Sequence, residues 1–181
     1  MATITLNGNP VRTSGELPLV GQATPVFTLT GADLNDFTSV DLEGKRVLLS
    51  IFPSLDTSVC AKSVRTFNHL TTDLADTVML CVSMDLPFAQ GLFCGKERLE
   101  RVETASAFRH PDFGTAFGVR LEDGPMRGLL ARAVVALDEN GTVVHTELVR
   151  ELTHEPDYDL AVHALRNRHH PCPEDALETT E

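Results

Sequence analysis

Apolar residues follow two rhythms along this chain. "ATITLNGNPVR" alternates on both sides of Asn7-Gly8-Asn9, which predicts a small β-hairpin. "VFTLTGADLNDFTSVDLEGK" reads as short extended pieces joined by turns. "RVLLSIF" is a continuous apolar run, as a strand buried on both faces requires. Beyond it Val64, Phe67, Leu70 and Leu74 recur at helical spacing, predicting a helix to about Asp76. "TVMLCVSMD" follows as a second buried strand, so strand, helix and strand form a βαβ unit with a right-handed crossover. "LLARAVVALDENGTVVHTELV" places two apolar strands around Asp-Glu-Asn-Gly, a hairpin signal. Asn140-Gly141-Thr142 is read as that turn rather than as a glycan acceptor. "EPDYDLAVHALRNR" closes the pattern as a helix, with Pro156 in its first turn and a stripe of Tyr158, Leu160, Ala161, Ala164 and Leu165. The fold class is α/β: a central mixed sheet flanked by helices, with an N-terminal β-hairpin.

Composition narrows the class. The chain has 181 residues, 42% hydrophobic and 23% charged, which fits one soluble domain over residues 1–166. After Pro173 come four acids and no base, so residues 167–181 are expected to form a disordered acidic tail. A net charge of −11 argues against nucleic acid or an anionic membrane as partner. "MATITLNGNPVRTSG" lacks the basic start and apolar core of a signal peptide, and no run approaches the ~18 apolar residues of a membrane span. A cytoplasmic location is expected. There, the four cysteines Cys60, Cys81, Cys94 and Cys172 are better read as free, catalytic or metal-bound than as structural bridges. His169, His170 and Cys172 offer no fourth ligand, so no metal is expected and Cys172 is read as a spare thiol.

Cys60 falls in the first turn of the first predicted helix, which Asp56, Thr57 or Ser58 could cap. A thiol reacts as thiolate, and a helix N-terminus favours the anion. That end alone contributes about 0.3–1 kcal/mol, so a reactive cysteine here needs a cation as well. Position leaves two readings open, core filler and nucleophile. Cys81, in mid-strand beside Met79, Leu80 and Val82, reads as core. Arg132 is the odd residue, a cation inside "LLARAVVAL".

Pro53, Thr57 and Cys60 match the peroxiredoxin pattern of Pro, three residues, Thr, two residues, Cys. The stretch "FPSLDTSVCAKSVRTFN" is similar to that of the bacterial thiol peroxidases, an atypical two-cysteine branch of those enzymes. So are "DLPFAQGLFCG" with Cys94, "GLLARAVVALDENG" with Arg132, and the closing helix; the resemblance spans about residues 2–166. It implies a thioredoxin-like fold and a cofactor-free peroxidase acting on hydrogen peroxide and organic hydroperoxides in antioxidant defence. Cys60 would be the peroxidatic cysteine, Cys94 the resolving one, and the two would close a redox disulfide. Thr57 and Arg132 would hold thiolate and peroxide, while Pro53 shields them. Thioredoxin would be the electron donor and the protein a homodimer. Such a disulfide needs Cα atoms within about 7 Å, so both segments are expected to rearrange, and Gly91 and Gly95 would loosen that of Cys94.

Rival readings remain. A thioredoxin-type dithiol enzyme needs Cys-x-x-Cys, but residue 63 is Ser and residue 57 is Thr. Cys94 speaks against a one-cysteine peroxidase. A peroxide sensor or redox relay acting through a partner protein is the alternative from another class. Leu86, Phe88, Leu92 and Phe93 either seat an alkyl tail or pack the fold.

Overall fold

Asn7 and Gly8 take φ of 50° and 78°, the pair of left-handed residues that a type I′ turn demands. The chain therefore folds straight back, and β1 (Thr3–Leu6) pairs antiparallel with β2 (Asn9–Arg12). The structure is a computed structural model and describes residues 1–166. The expected tail, with Cys172, lies outside the described residues.

Seven further strands make one mixed sheet. They are β3 (Thr28–Gly31), β4 (Asp36–Thr38), β5 (Arg46–Ile51), β6 (Thr77–Ser83), β7 (Val102–Ser106), β8 (Ala133–Leu137) and β9 (Val143–Leu148). Their order is β4-β3-β7-β6-β5-β8-β9; β5, β6 and β7 run parallel and the other pairs antiparallel. The helices are α1 (Ser58–Leu70), α2 (Pro87–Glu97), α3 (Asp112–Ala116) and α4 (Tyr158–Arg166). α1 crosses over between the parallel pair β5 and β6, as the βαβ reading expects.

The apolar runs are continuous because both sheet faces are covered. Leu48, Met79, Cys81 and Val134 face α1 and α4, where Val64, Phe67, Ala161 and Leu165 meet them. Val47, Leu49, Leu80 and Val135 face the other way, toward Ile4, Val11, Phe113 and Phe117. A strand's period of two splits each run between two cores.

The structure departs from the sequence pattern in several places. α1 stops at Leu70, where the hydroxyl of Thr71 bonds the Phe67 carbonyl at 2.7 Å, and Leu74 reaches the core from the turn beyond. α2, β7 and the short α3 appear where no regular element is expected. Arg132 stands just before β8 rather than within it. In α4, Leu160 is exposed and Val162 takes the buried place, giving the helical face Tyr158, Ala161, Val162 and Leu165.

Candidate active site

β5 ends at Ile51 and delivers Phe52 and Pro53, both buried, to the base of a short loop. Thr57 then takes an extended backbone as N-cap, and α1 begins at Ser58. Cys60 is the third helical residue and is fully buried. The Thr57 side chain does not cap the helix; its hydroxyl donates to the Ser54 carbonyl at 3.0 Å. The first-turn N–H groups and the positive end of the helix dipole thus lie beside Cys60 without a side-chain cap.

Arg132 supplies the cation from the residue before β8, the strand paired with β5. It is 3% exposed, and its Nη2 donates to the Cys60 Sγ at 3.4 Å. Nε and Nη2 also donate to the Leu152 carbonyl, at 3.2 and 2.9 Å, which fixes the plane of the guanidinium. The remaining nitrogen, Nη1, is buried and meets no acceptor from the protein. A cavity of about 130 Å³ opens beside it, lined in part by Pro53, Thr57, Val59, Met126, Arg132 and Leu152. Pro53, Thr57, Cys60 and Arg132 are therefore brought to one place.

Cys94 is not at that place. It sits in α2, half-buried, and lines a separate groove of about 510 Å³ with Asp36, Phe37, Glu103 and Thr104. Burial pushes its thiol up from the ordinary value, against a hydrogen bond with Thr104. Cys60, Cys81 and Cys94 are all free thiols. Cys81 lies in mid-strand, where burial, helped by the nearby Cys94, pushes its thiol up and keeps it protonated.

Two further networks hold the site. The Ser63 hydroxyl meets the Tyr158 hydroxyl at 3.0 Å, Tyr158 donates to Glu155 at 2.8 Å, and Lys62 donates to Glu155 at 2.6 Å, tying α1 to α4. Glu151, beside Leu152, accepts from the amides of Asn7 and Gly8 and from the Thr5 hydroxyl. The sequence reading missed Leu152 and Glu151. Leu152 acts through its carbonyl, which leaves no trace in residue type, and Glu151 is one acid among many.

A family model described as Redoxin matches residues 19–162. The chain belongs to the redoxin family. This redoxin is similar to a thiol peroxidase of Vibrio cholerae serotype O1, 51% identical over 90% of this chain and 99% of the relative. It is likewise similar to a thiol peroxidase of Mycobacterium tuberculosis, 56% identical over 91% of this chain and 99% of the relative. Among solved structures, a peroxiredoxin-like protein from Aquifex aeolicus is 36% identical with a TM-score of 0.86, covering 92% of this chain and 96% of that one. A thiol peroxidase from Chromobacterium violaceum, 17% identical with a TM-score of 0.84 over 91% and 95% of the two chains, shares the fold. The redoxin thus has the expected thioredoxin-like fold and is an oxidoreductase of the peroxiredoxin type, a thiol peroxidase.

Proposed function

We propose that this redoxin reduces hydrogen peroxide and organic hydroperoxides in the cytoplasm, with Cys60 attacking the peroxide and Cys94 resolving the product. The observation that carries this reading is Arg132, which bonds the Cys60 sulfur through one nitrogen and keeps a second buried without an acceptor. The Cys60 thiolate attacks one peroxide oxygen. A sulfur–oxygen bond forms as the oxygen–oxygen bond breaks, and the departing oxygen takes a proton to leave as water or alcohol. Negative charge moves from sulfur to the leaving oxygen, and the Arg132 nitrogen that faces the pocket is a donor suited to it; the Thr57 hydroxyl, which donates to the Ser54 carbonyl, joins it by turning its proton to the peroxide. Pro53, lacking an N–H, walls the pocket.

The sulfur is now a sulfenic acid. The Cys94 thiol attacks it, a disulfide forms, and the hydroxyl leaves as water. Since Cys94 opens into a different cavity, the first turn of α1 and α2 must both unwind to meet. A thioredoxin-type dithiol protein then reduces the disulfide and becomes a disulfide itself. The protein works as a homodimer, with residues 1–166 as one catalytic unit.

Single-residue variants test this. Cys60→Ser is expected to lose peroxidase activity to background. Cys94→Ser is expected to consume one equivalent of peroxide and then stall in a thioredoxin-coupled assay. Sustained turnover in either variant would remove the role given to that cysteine.

A further inference from the structure

We propose that Asp85 is a positioning residue that latches the Cys60 loop to the start of α2, and so sets the balance between peroxide attack and disulfide closure. The proposal rests on the roles given above to Cys60 and Cys94.

Asp85 follows β6 and directly precedes Leu86, the N-cap of α2. Asp85 lies one residue before the N-cap position, and no side chain caps α2. The carboxylate turns instead to the loop between Pro53 and Thr57. It accepts from the Ser54 hydroxyl at 2.7 Å and from the Leu55 amide at 2.8 Å. A third bond comes from the Ser83 hydroxyl at 2.8 Å, and the Asp85 carbonyl accepts from the Ser106 hydroxyl at 2.5 Å. Neutral donors bonded to an ionised acceptor make short, strong hydrogen bonds.

These bonds belong to a longer path. On the loop side, the Ser54 carbonyl accepts from Thr57, the N-cap of the helix that carries Cys60. On the other side, the Ser83 hydroxyl accepts from Gln90 Nε2 at 3.0 Å. Gln90 is fully buried, one helical turn before Cys94, and it also donates to the Ala105 carbonyl at 3.0 Å. Thr57 and Gln90 are thus joined through Ser54, Asp85 and Ser83. Beside these bonds the loop and α2 are parted by a cavity of about 430 Å³, lined in part by Ser54, Leu55, Asp85, Ala89, Phe93 and Lys96.

With the latch closed, Thr57 and the first turn of α1 hold Cys60 against Arg132, the geometry of attack. With it open, the loop and that turn are free to unwind, the geometry of closure. Asp85 therefore favours the first step and restrains the second. A side chain that merely supported the fold would affect both steps alike.

The test follows the two steps separately in Asp85→Ala, Asp85→Asn and Ser54→Ala of the full chain. Stopped-flow kinetics with hydrogen peroxide give Cys60 oxidation, and mass analysis of quenched samples gives the Cys60–Cys94 disulfide. Asp85→Ala is expected to slow oxidation about 10-fold, the scale of a lost charge-assisted bond, while closure keeps its rate or quickens. A higher peroxide dose is then needed to reach sulfinic acid. Asp85→Asn, which keeps one acceptor oxygen, should fall between wild type and Asp85→Ala. Ser54→Ala removes only the loop's hydroxyl and should act the same way more weakly, which keeps the test sharp if Asp85→Ala folds poorly. Unchanged oxidation in all three variants, or closure slowed in step with oxidation, would overturn the inference. A wild type that closes no Cys60–Cys94 disulfide after one equivalent of peroxide would overturn the roles of the two cysteines, and this inference with them.

Discussion

Burial holds the Cys94 thiol above its ordinary range, so the thiolate is disfavoured while α2 is folded. The sign of the pH effect follows. A group whose folded value is raised contributes stability fully present below its unfolded value and lost as pH rises through the folded one. Alkaline conditions therefore both ionise the attacking sulfur and weaken the helix that holds it. Closure of the disulfide, timed after a single equivalent of peroxide, should keep accelerating beyond pH 9, the ordinary thiol value. A rate already flat at pH 8 would contradict this. Residues whose type clashes with their setting were legible in advance. Cys60 at a helix start and Arg132 inside an apolar run stand out in the sequence, and the structure brings them within 3.4 Å. Leu152 and Asp85 were not legible, because one acts through its main chain and the other bonds to residues distant in sequence.

α2 is a helix assembled from weak parts. Leu86 gives it no side-chain cap, Gly91 and Gly95 lie inside it, and Arg98 ends it in the left-handed conformation at φ 53°. A Cβ added at Gly91 or Gly95 meets nothing within 4 Å, so neither glycine is there for lack of room. Their effect is on backbone entropy, which makes unwinding cheaper. Gly91→Ala and Gly95→Ala should each stabilise α2 by about 0.5–1 kcal/mol and slow disulfide closure roughly 2–5-fold. Cys60 oxidation should be untouched, and a rapid-quench comparison of both rates would check it. The same weakness hid α2 from the sequence. Its apolar Phe88 and Leu92 point outward, and its glycines break the stripe that marks α1. β7 was hidden for a related reason, being short and carrying Glu103 and Thr104 among its five residues. β5, β6 and β8 were legible because burial on both faces leaves an unbroken apolar run.

Across the molecule, Glu151 connects the N-terminal hairpin to the site. Its carboxylate accepts from the amides of Asn7, Gly8 and Thr153 and from the hydroxyls of Thr5 and Thr153. The Gly8 amide, then the Thr5 hydroxyl, hold it well below the usual carboxylate range. Its folded value is depressed, so its stabilisation is present above the ordinary 4.5 and drains away as pH falls toward the folded value. Glu151→Gln should lower amide protection at Asn7 and Gly8 at neutral pH and remove that acid dependence. Since Leu152 is the next residue and its carbonyl orients Arg132, peroxide reduction should also slow, about 2–5-fold. Hydrogen exchange and steady-state rates on the same sample check both; unaltered protection at Gly8 would break the link. The unpaired nitrogen of Arg132 has a consequence at this scale too. An oxyanion that enters the pocket meets a guanidinium nitrogen with no protein acceptor, so its binding should raise the melting temperature of the chain.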